Sequence, residues 1–206
     1  MRGNTRGARE LRKSRDGRVA GKKILIVTEG IRTEPFYFDK LAKYLNSRAV
    51  RVISVKPVGL GKDPLSVVME AVARRSRERL TGDPFDATWC VVDVDDHHSL
   101  EDACTLARKE GISLAISSPC FEIWLIWHFA NHSSWVSSAG TFAILKARHG
   151  FSGKAIPEDF PYSNYVDAII RSSRCEDVTV QHRPPNPHSS VAQLAEELRD
   201  SSMRRK

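Results

Sequence analysis

Four short apolar runs, each followed by a segment of helical period, constrain this chain more than any other feature. The first, Lys23-Ile-Leu-Ile-Val-Thr28, stops abruptly at Glu29-Gly30. An unbroken apolar run of that length reads as a strand buried on both faces. Helical spacing follows from Thr33 to about Leu45, with Thr33 expected as the cap and Pro35 tolerated in the first turn. Val50 to Val58 alternates as a second strand, and a helix from Pro64 to Leu80 carries a basic outer face at Arg74, Arg75, Arg77 and Arg79. Ala87 to Val92 is the third strand and runs into Asp93-Val-Asp95-Asp96. Ser99 reads as the cap of a helix to Lys109 ended by Gly111, Ile112 to Ile116 as a fourth strand, and Ser118-Pro119 as the opening of an apolar helix to about Ala130. Alternation of this kind implies a mainly parallel sheet with right-handed crossovers and helices on both faces.

Beyond residue 131 the pattern is helical, at about Ser137–Arg148, Asn164–Arg174 and Ser189–Arg205, with His182 to Pro187 extended or turning. This divides the chain into an arm over residues 1–21, an α/β core over 22–131 and a mainly helical C-terminal extension over 132–206.

The charge sits in the arm. Residues 1–23 hold nine basic side chains, Arg12 and Lys13 among them, against Glu10 and Asp16, and so carry the whole formal net charge of +7. The remaining 183 residues are neutral overall. Such an arm reads either as a phosphate-binding element or as a solubilising tail. The longest apolar stretch, Pro119 to Ala130, is too short to span a bilayer. The N-terminus has no apolar segment of a secretory signal. Cys90, Cys104, Cys120 and Cys175 have no zinc-finger or C-x-x-C spacing, which suits a reducing cytoplasm and buried thiols.

In an open parallel sheet, sites form at the carboxyl ends of the strands. Glu29 falls at the end of the first strand, and Asp93 and Asp95 finish the third. Two residues apart on extended chain, these aspartates point to one side. Facing carboxylates repel, and a cation such as Mg²⁺ or Mn²⁺, which takes oxygen ligands, relieves the repulsion. Glu29 completes the group as ligand or as general base, and Asp96 is a further candidate ligand. Glu122 is the one charge in a helix apolar all round, so it is expected to be buried near the same sheet end. It then serves either as an active-site carboxylate or as a structural partner of the helix N-terminus or an arginine. His128, Trp124 and Trp127 read as core. Arg32, Thr33 and Lys62 lie in strand-to-helix loops where each can touch phosphate, and Arg74 adds to a basic surface.

Three stretches carry a resemblance: Thr28-Glu-Gly-Ile-Arg-Thr-Glu-Pro-Phe-Tyr-Phe38, Val92-Asp-Val-Asp-Asp-His97 and Ser118-Pro-Cys-Phe-Glu-Ile-Trp-Leu-Ile-Trp-His-Phe129. With a late Asn186-Pro187-x-Ser-Ser-Val191, they make residues 22–200 resemble the RloB family. The resemblance implies a bacterial phage-defence protein, commonly accompanied by an RloA-type ATPase. It also implies a Toprim-like (Rossmannoid) α/β fold, in which the E-G and D-x-D motifs bind Mg²⁺ for phosphodiester chemistry. Carried over, the glutamate is Glu29 and the pair is Asp93 and Asp95. The expectation is a metal-dependent nuclease acting on RNA, with tRNA as one candidate, or on DNA. The rival is a non-catalytic nucleic-acid-binding or ATPase-partner subunit.

Overall fold

The computed structural model describes residues 22–47, 49–55, 63–94, 99–173 and 184–203. Four strands run parallel: β1 (Ile24–Thr28), β2 (Val50–Ser54), β3 (Ala87–Asp93) and β4 (Ser113–Ser118). A short fifth strand, β5 (His188–Ser189), pairs antiparallel with β4, giving the order β2-β1-β3-β4-β5. The sheet is mainly parallel, as the alternation predicts, and the fold is of the Rossmannoid α/β class that the resemblance implies.

Burial follows the strand pleat. Ile24, Ile26, Trp89 and Val91 face one side, and Leu25, Val27, Cys90 and Val92 the other. On the second side pack α2 (Pro64–Leu80) and α3 (Leu100–Glu110), through Val67, Val68, Ala71, Ala103 and Ala107. The first side is covered by α1 (Thr33–Tyr44), α4 (Glu122–Ile126), α5 (Ser138–His149), α6 (Tyr165–Ser172) and α7 (Val191–Met203). Tyr37, Phe38, Phe121, Trp124, Trp127, Leu194 and Leu198 share one cluster there. The C-terminal part is thus not a helical extension alone. It adds β5 to the sheet, with Ser117 and Ser189 hydroxyls 3.0 Å apart, and α7 closes the core.

Two helix starts differ from expectation. Arg32, not Thr33, occupies the cap position of α1, and no side chain caps it. α4 begins at Glu122 rather than at Pro119. The reason is that β4 continues to Ser118, which pairs with His188, and a residue before proline favours extended backbone. Asp63 caps α2, accepting from the Ser66 N–H at 3.1 Å and from the Ser99 hydroxyl at 3.0 Å. Although burial opposes it, these hydrogen bonds hold the Asp63 carboxyl below its usual range. Among the described residues no helix is long and apolar enough to cross a membrane.

Candidate active site

The sheet reverses direction of winding between β1 and β3, since β1 leads to β2 on one side and the chain returns to β3 on the other. Crevices at such switch points are where open α/β sheets place ligands. Glu29 and Asp93 flank this one. The Glu29 backbone N–H donates to the Val91 carbonyl at 3.0 Å, extending the β1–β3 pairing by one residue. Its side chain then turns across the gap, and Oε2 accepts the Asp93 backbone N–H at 3.2 Å. Glu29 is buried and Asp93 half-buried. Asp93 shares the pleat side of Trp89 and Val91, and so faces the layer that holds α1 and α4.

That layer brings two more acids to the same end. Glu34, in the first turn of α1, is 8% exposed, and Glu122, first residue of α4, is 5% exposed. Burial raises the Glu122 carboxyl above its ordinary range. The Cys120 thiol and Lys154 oppose that rise, and the Glu34 charge adds to it. Burial, then the charges of Glu122 and Asp93, push the Cys120 thiol far up, and its sulfur is 3.2 Å from the Thr141 hydroxyl. Cys120 is therefore a packed thiol rather than a nucleophile.

The glycine of the E-G pair has a spatial reason. A Cβ on Gly30 would overlap the Glu34 carboxylate, so glycine makes room for that acid. The Thr28 hydroxyl donates to the Gly30 carbonyl at 2.7 Å and fixes the turn. Sequence alone assigns Glu34 no role in the site. An acid in a first helical turn reads as a favourable charge at the helix N-terminus; its tight approach to Gly30 and its charge on Glu122 mark it as part of the acidic group.

Other expected site residues fall elsewhere. Thr33 is buried, and its hydroxyl donates to the Lys154 carbonyl at 3.1 Å, so it ties α1 to the loop after α5 instead of meeting phosphate. Arg74 pairs with Glu70 at 2.6 Å within α2. It also lies toward the wrong end of the sheet. One turn on, Glu78 reaches Lys23 and Arg51, which sit at the starts of β1 and β2. Arg75 is committed to Glu110 at 2.7 Å. Arg32 is exposed beside the Glu29-Gly30 turn, as the loop position predicts. Asp95, Asp96, Lys62, Arg12 and Lys13 lie outside the described residues.

His128 is core. It is fully buried, its Nδ1 lies 3.0 Å from the Trp124 carbonyl and its Nε2 3.1 Å from the Tyr37 hydroxyl. Those neighbours suit a neutral ring, protonated at Nδ1 and accepting from Tyr37. Trp124 and Trp127 are fully buried beside it.

The sequence matches the family described as RloB-like protein over residues 24–198. The chain belongs to the RloB-like family. No curated protein matches it. The matched span takes in every described strand of the sheet and the four crevice acids Glu29, Glu34, Asp93 and Glu122, so the RloB-like match and the acidic crevice coincide. Among the described residues, no three His, Cys, Asp or Glu groups stand together in a form that could hold a metal ion.

Proposed function

We propose that this RloB-like chain is a Mg²⁺-dependent nuclease, also served by Mn²⁺, that hydrolyses phosphodiester bonds of RNA or DNA in bacterial antiphage defence. One observation carries the reading: Glu29 and Asp93 are joined across the β1–β3 switch point by the 3.2 Å hydrogen bond from the Asp93 N–H. The donor set fits a hard divalent cation, because the groups gathered there are carboxylates, and Mg²⁺ selects oxygen. Asp93 with Asp95 would hold the ion, with Glu29 as third ligand or as base, and Asp96 beside them. Bound there, the ion would act as a Lewis acid on a phosphate oxygen.

The chain's own groups do the rest. Glu29, oriented by the Asp93 N–H, takes a proton from the attacking water as its oxygen bonds to phosphorus. The ester P–O bond breaks, and the leaving oxygen collects a proton from Glu122, whose raised carboxyl suits an acid. Arg32 binds the flanking phosphate. RNA, tRNA in particular, is the preferred substrate by analogy with related defence proteins, and an RloA-type ATPase the expected partner.

A second reading is a non-catalytic nucleic-acid-binding or ATPase-partner subunit. A cleavage assay on mixed RNA and DNA with Mg²⁺, Mn²⁺ or EDTA separates the two. Metal-dependent products support the nuclease. Intact substrate with every metal, from a protein that still binds nucleic acid, supports the subunit.

A further inference from the structure

Resting on the nuclease reading, we infer that the outer face of α1 is a track for single-stranded nucleic acid leading into the acidic crevice. Arg32, Phe36, Lys40 and Tyr44 follow one another at intervals of four residues, which makes each the neighbour of the next on the helix surface. All four are exposed. Phe36 and Tyr44 are 41% and 51% exposed, unusual for rings on the helix whose other face, Tyr37, Phe38 and Leu41, is sealed in the core. The Lys40 ammonium stands 5.3 Å from the centre of the Phe36 ring. Tyr44 leans edge-on against Tyr165, 6.4 Å between centres, which steadies one ring and leaves its other side open.

The alternation of cation and ring is what favours nucleic acid over a protein partner. Unpaired bases stack on aromatic rings while cations follow the phosphates, and the stacking needs no particular sequence. A protein-docking helix would present contiguous apolar residues instead. The stripe starts two residues after Gly30, at the rim of the crevice, and extends along α1 for about 18 Å at 1.5 Å per residue. Asp39 and Lys43 flank it, and their opposite charges leave the cationic balance with Arg32 and Lys40. Duplex bases are stacked already and cannot use the rings, so the track selects single strands, loops and ends.

The test measures binding of full-length protein to labelled single-stranded RNA and DNA and to duplexes of matched length, by fluorescence anisotropy in EDTA so that nothing is cut. Wild type should prefer single strands. Phe36→Ala and Tyr44→Ala should each weaken single-strand binding by about 5- to 100-fold while leaving duplex binding unchanged, and Phe36→Tyr should restore it. Lys40→Ala should flatten the log–log salt slope by about 0.7, and Phe36→Ala should leave that slope as it is. Wild-type affinity in both ring variants, equal weakening on duplex and single strand, or no preference in wild type would overturn the track. So would a Phe36→Ala protein that binds oligonucleotides normally but loses a self-associated form in sedimentation, since α1 would then be a protein interface. The readout is independent of cleavage. A protein that binds through the track yet cuts nothing retires the nuclease reading alone, and one that cuts while its ring variants bind normally retires the track alone.

Discussion

Asp93 ends β3 and Glu29 directly follows β1, its backbone N–H bonded to the Val91 carbonyl, so the sheet backbone places both. Neutralising one of a set of crowded carboxylates should therefore cost the apo fold little. Asp93→Asn, Asp95→Asn and Glu29→Gln are expected to remain folded and to lose about 10²- to 10⁴-fold in cleavage rate. Mg²⁺ should raise the wild-type melting temperature, and the rise should shrink in the aspartate variants. Glu29→Gln divides ligand from base: loss of activity with the Mg²⁺ shift intact makes Glu29 a base, and loss of both makes it a ligand. Metal-dependent cleavage surviving in both aspartate variants would refute the assignment. Glu122→Gln keeps shape but has no proton to give the leaving oxygen, and should lower activity while the melting temperature holds or rises, since burial already disfavours the charged carboxylate. Normal activity in a protein much less stable would make Glu122 structural. Gly30→Ala should cost about 1–3 kcal/mol in denaturant unfolding, because its methyl needs the space of the Glu34 carboxylate. The pair Gly30→Ala with Glu34→Ala should recover most of that deficit; a pair no more stable than Gly30→Ala would show that the clash is with something else.

Helix α1 is bound to the segment after α4 through the Tyr37–His128 hydrogen bond, and this lock has a pH range. Burial lowers His128 to about 4, against the ordinary value near 6.5, with the nearby Arg171 charge contributing. The unfolded chain thus binds a proton that the folded chain refuses between those values. Stability from the neutral ring is complete above about pH 6.5 and declines as pH falls toward 4, by about 3 kcal/mol at most. Melting temperatures from pH 7 to 4 should fall less steeply in His128→Gln than in wild type; parallel curves would show that other groups govern acid unfolding. The elements themselves were legible where one periodicity ruled. α2 matches its expected ends because Asp63, Pro64 and Thr81 all punctuate it. The crevice was legible because strand ends can be read from where apolar runs stop at Glu29 and Asp93. What escaped were features set by distant partners. β5 is two residues long and exists only because β4 offers an edge. Thr33 is drawn from its expected role by the Lys154 carbonyl, 121 residues away, and Arg74 is carried to the far end of the sheet by the direction in which α2 runs. No local pattern reports such pairings.

Along the whole sequence, net charge is unevenly spread. The formal excess of +7 lies within residues 1–23, and residues 24–206 are balanced. Removing residues 1–21 should leave stability within about 1 kcal/mol of the full chain while weakening nucleic-acid binding. The salt slope should flatten by about 0.7 to 0.9 for each phosphate that the arm no longer neutralises. An unchanged affinity and slope would assign the arm to solubility. The closure of the core by α7 carries a consequence for biogenesis. Leu194 and Leu198 are fully buried in the same cluster as Ile24, Ile26 and Trp124. Glu29, Asp93 and Glu122 all leave the ribosome before them, Glu122 by 72 and 76 residues, or about 4–15 s of translation. Throughout that interval the nascent chain carries its acids but lacks the helix that completes the apolar side of its sheet, so a chaperone still has apolar surface to cover there.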